Sequence, residues 1–326
     1  MENIGSIGVV IPYYQVNSGV LLKAVKSIFT QTYSGSVIVY IIDDGSPVSA
    51  KDELLNVTFP DNIILTIIEQ ENGGPSSARN HALKLAKNDD CQFIAYLDSD
   101  DEWEPIHLEN AIYALNQGSD FYFSNYMQLD ATESVFEKSK ITLSNHTLLN
   151  SNSALYQYTG DMFEQVIVNP IIGTPTVVYN LEAFGHLFFD ETFLKAREDH
   201  LLWLDIALTK ANFCFGASIE LRCGRGVNIW ASTKWGSDNL LSFYFHDIKF
   251  SKQLLSKYPL TPQQINYVKQ KLSTLRHAVF LDFVHRLGHH KKIDFVLLYK
   301  LLKLDVLSFI SMPYFSFKYL FFRKQV

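Results

Sequence analysis

Apolar and polar positions alternate in blocks along the first half of the chain. Ile7–Tyr14 is a short apolar run crossed by Pro12 and reads as a buried strand. Between Gly19 and Thr32 the residues Val20, Leu21, Ala24, Val25, Ile28 and Phe29 recur at helical spacing. Val37–Ile42 and Ile63–Ile68 are β-branched runs of strand length. Ser77–Lys87 predicts a helix with Ser76 as its N-cap, and Phe93–Leu97 a fourth strand. Strand and helix in alternation predict a parallel sheet with right-handed crossovers. A helix over Pro105–Gln117 and a fifth strand over Phe121–Tyr126 continue the series. Residues 127–152 are polar and weakly periodic, as in a surface excursion. Beyond them the pattern predicts a helix over Ser153–Val168, a strand over Thr174–Tyr179, a loop over Phe188–Phe193, a helix over Ala196–Thr209 and a strand over Asn212–Ile219. Two long helices, Ser237–Lys257 and Thr261–Leu287, follow.

Chemistry concentrates where these strands end. Asp98, Asp100 and Asp101 fall within four positions at the end of the fourth strand, and Asp43-Asp44 close the second. Open α/β sheets bind ligands at the carboxyl ends of their strands. Carboxylates this close repel one another unless a cation sits between them. Hard oxygen donors of this kind suit Mg²⁺ or Mn²⁺ shared with substrate phosphates. Gly73-Gly74 lets backbone approach a ligand closely. Glu198-Asp199 opens a helix, where the same pair would also suit the helix dipole.

Composition narrows the classes. The 326 residues suffice for one large or two modest domains, and 47% hydrophobic with 19% charged residues is globular rather than disordered. A net charge of −6 argues against bulk nucleic-acid binding. Cys91, Cys214 and Cys223 show no disulfide or metal spacing, which suits a reducing cytoplasm. The N-terminal residues show no basic, apolar leader pattern. From Arg286 onward, Lys and Arg outnumber the acids Asp294 and Asp305 and are interleaved with Phe, Tyr and Leu. The longest charge-free run there, Val306–Phe317, is 12 residues, short of the roughly 20 a spanning helix needs. This tail suits an interfacial helix on an anionic leaflet, with packing on the catalytic domain as the alternative.

Five segments in order carry a resemblance: Val9-Val10-Ile11-Pro12-Tyr13-Tyr14, Asp43-Asp44-Gly45-Ser46, Asn72-Gly73-Gly74 through Ala78-Arg79-Asn80, Leu97-Asp98-Ser99-Asp100-Asp101, and Glu198-Asp199-His200-Leu201-Leu202-Trp203. Together they resemble the family 2 inverting glycosyltransferases of bacterial O-antigen and capsule type. The resemblance implies an α/β, Rossmann-like nucleotide-diphospho-sugar transferase fold with a mostly parallel central sheet, plus a helical C-terminal region. It implies a catalytic domain over residues 1–235, with a nucleotide-binding half to about 126 and an acceptor half from 127, then a helical region over 236–326. The expected reaction is transfer of one hexose, glucose or galactose, from a UDP-sugar to a lipid-diphosphate-linked saccharide. Alternatives are a protein or soluble saccharide acceptor, or a nucleotide-binding module without catalysis. Pro12 and Tyr14 would line the uracil pocket. Asp43 and Asp44 would meet the base or ribose, with Gly73, Gly74, Arg79 and Ser99 nearby. Asp98 would reach the ribose side, and with Asp100 would hold Mn²⁺ or Mg²⁺ on the diphosphate. Asp199 would be the general base. Glu198, Trp203, Arg225 and Trp230 would serve the acceptor or a lid. The Gln-x-x-Arg-Trp signature of processive synthases is absent. The expected location is cytoplasmic, peripheral on the inner face of the bacterial inner membrane through the C-terminal tail.

Overall fold

The computed structural model describes residues 5–194, 196–225 and 235–312. The chain forms two compact units, one of Met1–Leu194 with Glu198–Val227, the other of Lys195–Arg197 with Asn228–Val326.

The first unit is built on a sheet whose strands in chain order are β1 (Ile7–Tyr13), β2 (Val37–Asp43), β3 (Ile63–Glu69), β4 (Phe93–Tyr96), β5 (Glu102–Trp103), β6 (Phe121–Met127), β7 (Thr147–Asn150), β8 (Leu155–Gln157), β9 (Val178–Asn180) and β10 (Phe213–Arg222). Its helices are α1 (Leu21–Phe29), α2 (Ala50–Leu54), α3 (Pro75–Asn88), α4 (His107–Asn116), α5 (Val135–Lys138), α6 (Met162–Val168), α7 (Leu181–Phe184) and α8 (Glu198–Leu208). Strand order is β3-β2-β1-β4-β9-β6-β10-β8-β7, with β5 on β10. The first four strands pair in parallel, in a register that aligns Tyr13, Asp43 and Glu69. Near-continuous apolar residues bury β1, β2 and β4 on both faces, while the edge strand β3 is mostly half-exposed. The strand ends, where the apolar runs stop, therefore line up along one edge.

The second half is mixed. β9 runs antiparallel between β4 and β6, and β8 antiparallel to β10. Because β9 is reversed, its incoming 3₁₀ turn, Thr174–Thr176, arrives at the carboxyl end of β4.

Several expected elements differ. The helix over Ser153–Val168 begins at Met162; Leu155–Gln157 is a strand, because Leu155 and Tyr156 pair with Gly216 and Phe215 of β10. The helix expected over Pro105–Gln117 starts at His107, after the short strand β5. Ser76 is not the N-cap of α3. Gly74 is, at φ 84°, a left-handed conformation open to glycine, with Pro75 at the first helical position.

The second unit comprises α9 (Leu240–Lys257), α10 (Pro262–Gly288), α11 (Phe295–Leu304) and α12 (Leu307–Ile310). α10 opens with a capping box between Thr261 and Gln264. Leu241, Ile248, Leu272, Leu275, Val279 and Leu301 form its core. Among the described residues no helix is long and apolar enough to cross a membrane.

Candidate active site

The carboxyl ends of β1 to β4 bring most of the expected donor residues to one edge. Asp43 and Asp44 are both buried there. The Asp43 carboxylate accepts the backbone N–H of Ser46 at 2.8 Å and of Ala50 at 2.9 Å. Asp44 accepts from Gln70 Nε2 at 2.7 Å and from the N–H groups of Gly73 and Gly74, both at 2.8 Å. In this structure the two acids help build the pocket wall, their carboxylates bonded to backbone N–H groups and, for Asp44, to the Gln70 side chain as well. A cavity of about 240 Å³, lined by Asp43, Gly45, Ser46, Ser49, Glu69 and Gln70, lies beside them. A cavity of about 190 Å³ near Tyr158, Lys210 and Phe213 lies at the start of β10, the opposite end of the sheet from the acids. Gly73 has no room for a side chain, since a Cβ would stand 2.8 Å from Ser77. Pro12 lies in β1 opposite Ile42, and Tyr14 just beyond it is exposed. Ser99 is buried and accepts from Gln15 Nε2 at 3.1 Å.

Arg79 is the hub. It sits on α3, buried, with Nη2 2.8 Å from Asp98 Oδ1 and Nη1 3.1 Å from Glu198 Oε1. Its guanidinium lies 5.3 Å from the ring centre of Phe189. Burial alone would lower its pKa, but Asp98 and Glu198 more than offset this and hold it charged. Thus one side chain ties the end of β4 to the start of α8.

Around Asp98 negative charge is in surplus. Burial pushes the Asp101 carboxyl well above the carboxylate range, and the charges of Asp98 and Asp100 push it further, against the Gly224 N–H that it accepts at 3.0 Å. Asp98 and Asp100 are both partly exposed. Among the described residues no group of three or more His, Cys, Asp or Glu is arranged to hold an ion. A hard cation shared with phosphates needs only one or two carboxylates, so the oxygen donors and the excess charge here fit Mn²⁺ or Mg²⁺.

On α8 the two acids are pushed apart. Burial and then the charge of Asp199 push Glu198 up to about 7, against the pull of Arg79. Burial would also raise Asp199, but His200 and Arg79 outweigh it and keep the carboxyl ionised. Asp199 Oδ1 accepts from the His200 N–H and pairs with His200 Nδ1, each at 2.7 Å. Thr174 Oγ1 donates to Asp199 Oδ2 at 3.1 Å. Thr174 is a site residue that sequence reasoning missed; Gly173-Thr174-Pro175 carries only a turn signal, and the reversed strand brings it here. Trp103 Nε1 donates to the Pro175 carbonyl at 2.6 Å and fixes that turn.

Among the described residues, Trp203 and Arg225 make other contacts. Trp203 is fully buried and packs edge-on against Phe121 at 5.1 Å, so it is core and cannot stack on a sugar. Arg225 is exposed and pairs with Asp130 at 2.6 Å. Trp230 and the lid expected over residues 226–230 lie outside the described residues.

Known proteins resemble this chain in sequence and in fold. The succinoglycan biosynthesis protein ExoW of Rhizobium meliloti is 29% identical over 297 residues, which is 90% of this chain and 92% of that protein. The Escherichia coli UDP-Glc:α-D-GlcNAc-diphosphoundecaprenol β-1,3-glucosyltransferase WfgD is 26% identical over 204 residues, 61% of this chain and 69% of that one. The mannosyltransferase PcManGT of Pyrobaculum calidifontis, solved with GDP-Man and Mn²⁺, has the same fold, with a TM-score of 0.55 at 13% identity over 95% of this chain and 84% of that one. Residues 8–188, more than half of the chain and nearly all of the edge just described, match Glycosyl transferase family 2, and the chain belongs to that family.

Proposed function

We propose that the chain is an inverting, metal-dependent hexosyltransferase. It moves one glucose or galactose from a UDP-sugar to a lipid-diphosphate-linked saccharide in the assembly of O-antigen or capsule. Residues 1–235 would form the catalytic domain and 236–326 a helical region holding the protein to the inner membrane face. The observation that carries the reading is the Arg79 bridge from Asp98 to Glu198, next to Asp199. Inversion needs a base and a diphosphate partner on separate walls of one site. Asp199 on α8 and Asp98 with Asp100 after β4 supply them from different elements, held together by one buried cation. The printed activity of WfgD supports the donor and acceptor classes, and the Mn²⁺ of PcManGT supports the metal.

Asp98 and Asp100 would hold Mn²⁺ or Mg²⁺, which neutralises charge on a departing diphosphate. Asp199 is ionised and oriented by Thr174 and His200, so one of its oxygens can take the proton of the acceptor hydroxyl as the hydroxyl oxygen bonds to the anomeric carbon and the bond from that carbon to the UDP oxygen breaks. Arg79 adds a fixed positive charge beside the nucleotide end and keeps Glu198 from repelling Asp199 out of place.

A panel of UDP-sugars with a synthetic lipid-diphosphate saccharide tests this. One sugar should be transferred per acceptor, with the anomeric centre inverted by NMR. Equal transfer to the free saccharide would favour a soluble acceptor, and a retained anomeric centre would refute the single-base mechanism.

A further inference from the structure

The second unit presents an apolar face that its own core does not use. One side of α11 folds inward: Leu301 is fully buried, and Leu297, Leu298 and Leu304 pack with it against the core of α9 and α10. That side accounts for the docking of α11. The other side should then be polar. Instead Phe295 is 71% exposed, Val296 68%, Tyr299 57% and Leu302 40%. These positions recur at three- and four-residue spacing and so share one face. Val306, Leu307 and Ile310, just beyond, are exposed as well. Apolar patches of this continuity on a soluble surface mark an interaction site.

Charge says what covers it. Lys300 and Lys303 are exposed on α11 beside this face, and Lys292 is exposed just before the helix. Lys303 Nζ stands 4.5 Å from the ring centre of Tyr299, so cation and aromatic share one surface. Two acids lie nearby, one exposed and one buried. Asp294 caps α11 by accepting the Leu297 N–H at 2.9 Å. Asp305 is buried, its carboxylate held by both Arg276 and Lys252. What faces outward is aromatic and aliphatic area with a lysine collar. A symmetric second copy would bring those lysines towards their own counterparts.

We propose that the exposed face of α11 is a docking surface for an anionic phospholipid leaflet. Phe295, Val296, Tyr299 and Leu302 enter the headgroup boundary while Lys300 and Lys303 meet lipid phosphates. The proposal deepens the peripheral-membrane reading above and rests on it. It assigns the contact to one face of one helix within that tail.

The test uses the full chain and vesicles of phosphatidylcholine with or without phosphatidylglycerol, read by co-sedimentation without any sugar substrate. Wild type should bind the phosphatidylglycerol vesicles at low salt and release them as salt rises. K300Q/K303Q should bind roughly 20–30-fold more weakly, from about one tenfold step per 1.4 kcal/mol and about 1 kcal/mol per lysine. F295Q/L302Q should bind about tenfold more weakly or worse. Both variants alter exposed side chains and should melt as wild type does. Transfer to a water-soluble acceptor analogue should be unchanged in both, so the membrane proposal and the transferase reading fail separately. Three results would overturn the proposal: no binding by wild type at low salt, wild-type binding by both variants, or a dimer that F295Q/L302Q dissolves.

Discussion

Replacing Arg79 by Met removes the one cation shared by Asp98 and Glu198 while keeping much of the packing against Phe189. Breaking a buried pair by deleting one partner costs about 3–5 kcal/mol, because the remaining charge is left uncompensated. Here the Asp98 side chain is 32% exposed and water can screen it, so the lower end, about 3 kcal/mol, is the better figure. For a unit of this size that is roughly 6–12 °C in melting temperature. The loss should depend on pH with a definite sign. Burial and Asp199 already push Glu198 to about 7, and Arg79 is the charge that pulls it down. Without Arg79 the folded-state value rises further above the unfolded one. A group raised in this way is no burden below its unfolded pKa and weakens the fold as pH rises through its folded value. The deficit of R79M should therefore be largest near about pH 8 and shrink towards about pH 5. R79M/E198Q, which deletes the orphaned charge, should recover about 1–2 kcal/mol at the higher pH. Thermal melts of wild type, R79M, E198Q and the double variant at both pH values measure all of this. An R79M protein that melts with wild type at the higher pH, or a double variant less stable than R79M, would refute the reasoning.

Asp199→Asn keeps the shape but not the basicity, so kcat should fall by about 10²–10⁴ with UDP-sugar affinity unchanged, as read by single-turnover assay and calorimetry. Thr174→Val should lower kcat more modestly, leaving KM for the donor in place and fold unaltered by circular dichroism, since it loosens one oxygen of Asp199 without removing it. Chelator should abolish turnover and Mn²⁺ or Mg²⁺ restore it; full activity in excess chelator would sink the metal assignment. Trp203→Ala should destabilise by about 3–5 kcal/mol, while Trp203→Phe should leave acceptor KM untouched because the ring contacts core and not solvent.

Much of the first unit was legible in the chain. Strands β1, β2 and β4 announce themselves because both faces are buried and the apolar run is unbroken until the polar edge, and the edge strand β3 through its β-branched run. Asp43, Asp44 and Asp98 mark those ends for the same reason. What the residues could not reveal is which partner each acid chooses. Asp44 is consumed by two glycine N–H groups whose geometry depends on Gly74 adopting φ 84°. Leu155–Gln157 has no helix-excluding residue, and only pairing with β10 makes it a strand. Trp203 reads as core more readily than as ligand, and laying α8 on the sheet buries it fully. Thr174 carries no local signal, because its role depends on the direction of β9.

That reversed strand sets the order in which the protein can become active. The parallel run β3-β2-β1-β4 comes from the first hundred residues and can form as soon as it leaves the ribosome. β4 and β6, however, are joined only through β9, and Arg79 closes on Glu198 across 119 positions of sequence. Until α8 has been made, Arg79 has one of its two acids and Asp98 stands without the wall that faces it. At synthesis rates of about 5–20 residues per second this lasts roughly 5–20 s. A nascent chain thus holds its donor-side half early and Asp199 late. A chain that ends between β4 and α8 carries the four parallel strands but neither Glu198 nor Asp199.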